Sequence, residues 1–215
     1  YFMTPKEGSY AIQAKRVIGE MKRRNFEAFY CPTKEDALDK AISLIEKGSV
    51  VGGGGSATIK EIGLLDYVMS HPKDYTYIDR SQAKNDQEAR EYHAKNILTD
   101  YYLMSSNAFT SDGQLINIDG NGNRVSCLCF GPKHVIIVMS MNKMCATVEE
   151  AYDRVRQHGC PPNALRLNLD TPCAKTGFCA ECTSTSSICA SFVTTRMSRY
   201  PDRIKVILVG EPLGF

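Results

Sequence analysis

No stretch of this 215-residue chain is apolar for long enough to span a bilayer as a helix. The longest clean run, Val135 to Met139, falls far short of the roughly 20 residues that a spanning helix needs. An excess of one charge is also missing, since 26 Lys and Arg face 24 Asp and Glu for a formal net charge of +2. That balance carries neither the basic footprint of a nucleic-acid binder nor a strong pull toward an acidic membrane. No basic-then-apolar leader opens the chain, so a soluble, cytoplasmic protein is expected. Several catalytic signatures are lacking too. The four histidines, His71, His93, His134 and His158, form no HxxH or HExxH pattern. No G-x-S-x-G elbow is present, and no Gly-Lys-Ser/Thr ends a glycine loop. A hydrolase triad and a P-loop both drop out.

What is present reads as a globular α/β protein. A hydrophobic fraction of 43% and a charged fraction of 23% are ordinary, and the length suits a single domain over residues 1–215 with a sizeable core. From Pro5 to Ile137 helix and strand signals alternate, which predicts a mainly parallel sheet. Helices are predicted over residues 10–24, from the capping box Thr33/Asp36, from about Thr58, over 84–98, and from the capping box Thr147/Glu150. Strands are predicted at residues 28–31, 50–51, 75–78, 101–104, 135–138 and 205–209. Residues 115–118 and 124–130 read as a hairpin around Asp119-Gly120-Asn121-Gly122, whose Asp-Gly and Asn-Gly pairs are strong turn formers. Periodicity is lost from residue 159 to 203, where a cysteine-rich loop insertion is expected before the last strand.

Three clusters are candidates for chemistry. The first is Gly52-Gly53-Gly54-Gly55-Ser56, between a buried strand and a helix. Gly53, Gly54, Gly55 and Ser56 could cradle a phosphate, carboxylate or CoA-like anion on backbone amides at the helix start. A tight turn without ligand is the alternative. Gly52, Gly54 and Ala57 also fit the loose dinucleotide pattern, with Asp79 near the position of a ribose-binding acid. The second cluster surrounds the predicted hairpin. Asn117 and Asp119 alternate with Ile116 and Ile118, so both point to one strand face. With Asn107 and Arg124 they could bind a hydroxylated or anionic substrate, with Arg124 as the bidentate partner of a carboxylate. Lys143 is a further carboxylate-binding candidate.

The third cluster is Cys173, Cys179, Cys182 and Cys189, spaced C-x5-C-x2-C-x6-C among nine cysteines in all. Four thiolates so close in sequence suit one tetrahedral zinc or one iron–sulfur cluster. Ordering a long irregular segment also favours a staple. Two labile disulfides or four free thiols are the alternatives.

Taken in order, these segments resemble the LUD-domain (lactate utilization) family. The resemblance is carried by residues 50–56, Ser106 to Gly113, Asn117 to Arg124, Gly131 to Ile137, Asn142-Lys143, Pro161 to Ala164 and Thr171 to Gly177. It covers about residues 5–210. It implies a three-layer α/β/α sandwich like that of ribose-phosphate isomerases, CoA transferases and cyclo-ligases, with a cysteine-rich C-terminal loop. It further implies an accessory protein or redox-complex subunit in conversion of L-lactate to pyruvate, beside iron–sulfur partner proteins. CoA transferases of that superfamily use a catalytic glutamate, whereas Asn117 and Asp119 occupy the equivalent hairpin here. The rivals are a stand-alone enzyme acting on a phosphorylated or CoA-linked small molecule, and a metabolite-binding module without catalysis. Oligomerisation is left open.

Overall fold

The computed structural model describes residues 4–215. Its framework is a six-stranded, wholly parallel sheet. In chain order the strands are β1 (Phe26–Cys31), β2 (Ser49–Gly53), β3 (Tyr75–Tyr77), β4 (Tyr101–Met104), β5 (Ala108–Thr110), β6 (Leu115–Asp119), β7 (His134–Ser140), β8 (Met144–Cys145), β9 (Ser191–Thr195) and β10 (Ile204–Val209). The large sheet runs β1-β10-β7-β4-β2-β3, and a smaller mixed sheet runs β8-β5-β6-β9.

Helices cover both faces of the large sheet, which is why its central strands are largely apolar on both faces rather than alternately, with Lys205 on β10 and Ser140 on β7 as buried polar exceptions. On β7, Val135, Ile137 and Met139 enter one core while Ile136 and Val138 enter the other. The first core lies under α1 (Pro5–Arg23), through Ala14, Val17 and Met21. The opposite core lies under α2 (Lys34–Ser43), α3 (Ala57–Glu61) and α4 (Leu64–Ser70), through Ala37, Ala41, Ile59, Leu64 and Val68. The result is the expected three-layer α/β/α sandwich. A third, smaller core joins β5 and β6 to α7 (Val148–Arg154) and to Cys160.

Local chemistry sets the element ends. Helix α1 starts five residues earlier than its apolar periodicity alone indicates, because Thr4 and Glu7 close a capping box ahead of Pro5. Thr33 and Asp36 form the expected box on α2. At α7 Thr147 accepts from the Glu150 amide, but the Glu150 carboxylate turns back to the amide of Ala146. The polar stretch yields α5 (Asp86–Ile97), capped by Asn85.

The predicted hairpin is only half present. β6 is a strand, yet residues 123–129 form helix α6 (Asn123–Cys129). The reason is Asp119, whose carboxylate accepts the amides of Asn121, Gly122, Arg124 and Val125 at 2.9–3.2 Å. A carboxylate gathering successive amides opens a helix instead of reversing a strand. β6 pairs instead with β5 on one side and β9 on the other, Asn117 opposite Val193. The aperiodic stretch from 159 to 203 is likewise more than a loop. It contains α8 (Cys160–Arg166), α9 (Pro172–Thr176) and β9. Among the described residues no helix is long and apolar enough to cross a membrane.

Candidate functional site

The glycine turn leaves β2 and enters α3, where the Ser56 hydroxyl caps the helix by accepting from the Ile59 amide at 3.2 Å. The amides of Gly53 and Gly54 do not face a ligand. They donate to Asn96 Oδ1 at 3.1 Å and to the Leu103 carbonyl at 3.0 Å. The glycines are needed for a different reason. A Cβ on Gly54 would lie 3.0 Å from Arg124 Cγ and Cδ, and one on Gly55 would lie 2.7 Å from Arg80 Nη2. Two arginine side chains therefore cross the turn where other residues would project. Asp79 caps its own short turn through Ser81 rather than standing free for a ribose.

Arg124 is the buried centre of the second cluster. Nη1 donates to the Ser105 carbonyl at 2.9 Å and to Asn117 Oδ1 at 2.6 Å. Nη2 donates to Asn107 Oδ1 at 2.9 Å and to the Ile118 carbonyl at 2.5 Å. Asp119 lies 3.8 Å from its Nε. Loss of hydration pulls its proton affinity down, and the Asp119 charge opposes that shift. With four of its N–H groups already engaged, Arg124 contributes positive potential more than a free fork. Asn117, fully buried, and Asn107 hold that guanidinium in place, and Asn107 also accepts from the Ile118 amide.

The turn, the Arg124 network and the segment after β7 meet at a cavity of about 310 Å³. It sits at the carboxyl ends of β2, β4 and β7, where open parallel sheets present their ligand crevices. Gly55, Ser56, Asn107, Asp119, Arg124 and Lys143 line it, while Gly53, Gly54 and Asn117 stand behind the wall. Arg80 and Thr58, which the sequence reading did not single out, line it as well. No local pattern marks Arg80, since only the path of the chain after β3 brings it across Gly55.

Lys143 is 4% exposed, and its Nζ has only long contacts, 3.4–3.5 Å, to Thr58 Oγ1, Ser105 Oγ and the Ser106 carbonyl. Burial lowers its pKa from 10.5 to about 7, with repulsion from Arg154 and Arg124 assisting and the Glu61 carboxylate opposing. Among the described residues it forms no ion pair, and the Arg80 guanidinium makes neither an ion pair nor a hydrogen bond. Asp119, the one acidic side chain among the described lining residues, is occupied by backbone amides. The cavity is thus a cationic one with unspent positive charge.

A second cavity, of about 90 Å³, is lined by Cys173, Cys179, Cys182 and Cys189, together with Cys160 from α8. Among the described residues no group of three or more His, Cys, Asp or Glu is gathered closely enough to hold a metal ion as arranged. One thiol pair is in contact, Cys160 Sγ to Cys189 Sγ at 3.3 Å. Their mutual hydrogen bond raises the pKa of Cys160 and lowers that of Cys189, which also has the Ser187 hydroxyl and Arg156 beside it.

Fold and cavity together define a three-layer α/β/α protein with a cation-lined crevice at its strand ends. The chain belongs to the LUD-domain family, whose model matches residues 14–209. A solved DUF162-family protein from Deinococcus radiodurans is similar over 94% of this chain and 98% of that one, at 16% identity and a TM-score of 0.51. Ribose 5-phosphate isomerase from Plasmodium falciparum is similar over 53% of this chain and 52% of that one, at 18% identity and a TM-score of 0.34. That from Neisseria gonorrhoeae covers 64% and 65%, at 14% identity and a TM-score of 0.35. No curated protein matches the sequence significantly.

Proposed function

We propose that the cavity binds a small carboxylate or phosphate anion, and that the protein acts as an accessory protein or redox-complex subunit supporting oxidation of L-lactate to pyruvate. The observation that carries the binding is the pair Lys143 and Arg80, two basic side chains without an ion-pair partner among the described residues, on the wall of one cavity. A buried amine without a counter-ion is costly, and an arriving anion offsets that cost. Arg80 would meet the anion first because it is only half-buried, and Lys143 would meet it deeper. Ser56, Thr58 and Ser105 supply hydroxyls at the same wall. The link to lactate rests on membership of the LUD family.

The test is calorimetric titration of the chain with L-lactate, pyruvate and inorganic phosphate. Saturable binding that weakens at least tenfold in Arg80→Ala supports the reading, and no binding of any of the three refutes it. One observation favours a second reading, a stand-alone enzyme acting on a phosphorylated or CoA-linked substrate. An amine titrating near 7 is matched to proton transfer at neutral pH. Turnover by the isolated chain, lost in Lys143→Met, would support it, whereas activity only beside iron–sulfur partner proteins supports the accessory role.

A further inference from the structure

The cysteine cavity differs from the arrangement that the C-x5-C-x2-C-x6-C spacing implies. The residue in thiol contact with the loop is Cys160, which lies outside the motif, at the start of α8 and 29 positions before Cys189. The other three loop cysteines line the cavity, but no three sulfurs converge as metal donors. The two contacting sulfurs are also unequal. Cys160 is 1% exposed and packs in the small core with Ile116, Ile118 and Val155, whereas Cys189 is half-buried at the margin of that core. An accessible sulfur backed by a buried one is the layout of an attacking and a resolving thiol. Their separation, 3.3 Å, must shrink by only about 1 Å to reach the covalent S–S length.

We propose that Cys160 and Cys189 form a dithiol–disulfide couple that exchanges two electrons with a small disulfide. The Cys189 thiolate attacks one sulfur of the disulfide RSSR, forming a mixed disulfide and releasing the first thiol. Cys160 then loses its proton and attacks Cys189 Sγ, closing the internal bond and releasing the second thiol. The protein loses two hydrogens and the small disulfide gains both. The residue preceding Cys189, Ile188, lines both cavities, so the couple sits one residue from the wall of the anion site. The couple itself does not depend on what that site binds.

The test equilibrates the full chain with glutathione disulfide, alkylates the remaining thiols and maps the peptides. The expected product is a Cys160–Cys189 link, with intact mass lower by two hydrogens. In Cys160→Ser the reaction should stop with glutathione on Cys189, and in Cys189→Ser the buried Cys160 should stay unmodified. The native peptide map decides the question even if either variant folds poorly. A link confined to other pairs such as Cys179 and Cys182, or no link at all, overturns the proposal. So does iron or zinc retained stoichiometrically by the purified protein and lost in Cys160→Ser.

Discussion

Anion binding at the cationic cavity should take up a proton, and the size of that uptake follows from the surroundings of Lys143. Its pKa of about 7 leaves the amine about one-tenth protonated at pH 8 in the empty cavity. An anion about 4 Å from Nζ contributes about 4 kcal/mol at an effective dielectric constant of about 20. At 1.36 kcal/mol per unit this raises the pKa by about three units, to near 10. At pH 8 each bound anion should therefore bring in about 0.9 proton. Affinity should fall about tenfold per pH unit between roughly pH 7 and 10, and be flat below 7, because the bound form holds the extra proton only in that window. Arg154, Arg124 and Glu61 are the charged neighbours of Lys143, and the Lys143→Met variant assigns the slope to the amine itself. The assay is titration calorimetry with L-lactate, whose charge is constant over this range, in two buffers of unlike ionisation enthalpy at pH 8. Lys143→Met should abolish the uptake and flatten the profile. Measurable binding without proton uptake, or uptake that persists in Lys143→Met, would refute the reasoning.

Three further outcomes are expected. The folded pKa of Lys143 lies below its unfolded value of 10.5, so the unfolded chain holds the extra proton and stability rises with pH from about 7 to 10.5. Lys143→Met should therefore stabilise the protein at pH 6, by about 5 kcal/mol at most, with little effect at pH 10; urea denaturation at both pH values reads this. Asp119→Ala should cost about 3 kcal/mol or more, because it uncaps α6 and leaves the Arg124 charge without its carboxylate, and an unchanged urea midpoint would contradict that structural role. Gly52→Ala should cost about 2 kcal/mol by the same measurement, since its Cβ would lie 2.0 Å from Asn96 Oδ1 and break the bond to the Gly53 amide.

The large sheet was legible because each of its strands, and α1 and α2, carry their own signal, whereas the helix expected from about Thr58 ends at Glu61 and α4 was not read as a separate element. The run Val135 to Val138 read as a fully buried strand and is one, and Thr33 with Asp36 marked a helix start without tertiary help. The small sheet was not legible. β5 has three residues and β8 two, too short for period-two alternation to register. β9 lies in a polar, serine- and threonine-rich stretch and becomes a strand through pairing with β6. The helix after Asp119 was misread because Asp-Gly and Asn-Gly signal a turn equally well before a strand or a helix. Which follows depends on where the Asp119 carboxylate points.

The candidate site shows the same division. Glycine at positions 52–55, a paired Asn117 and Asp119, and an arginine at 124 were all visible as a concentration of unusual residue types. Their tasks were not visible, because a task depends on distances between residues far apart in sequence. Gly55 is small for the sake of Arg80, 25 positions away, and the Arg124 guanidinium is spent on carbonyls and amides of its own neighbourhood. Cys160 stands apart from the cysteine motif in sequence and is the residue that touches it in space. Periodicity, caps and turn formers act within a few residues and can be read along the chain. Burial, ionisation and thiol contact are set by what the folded sheet brings together. That is why Lys143 reads in the chain only as a candidate carboxylate-binding lysine, and becomes an amine titrating near pH 7 only inside the cavity.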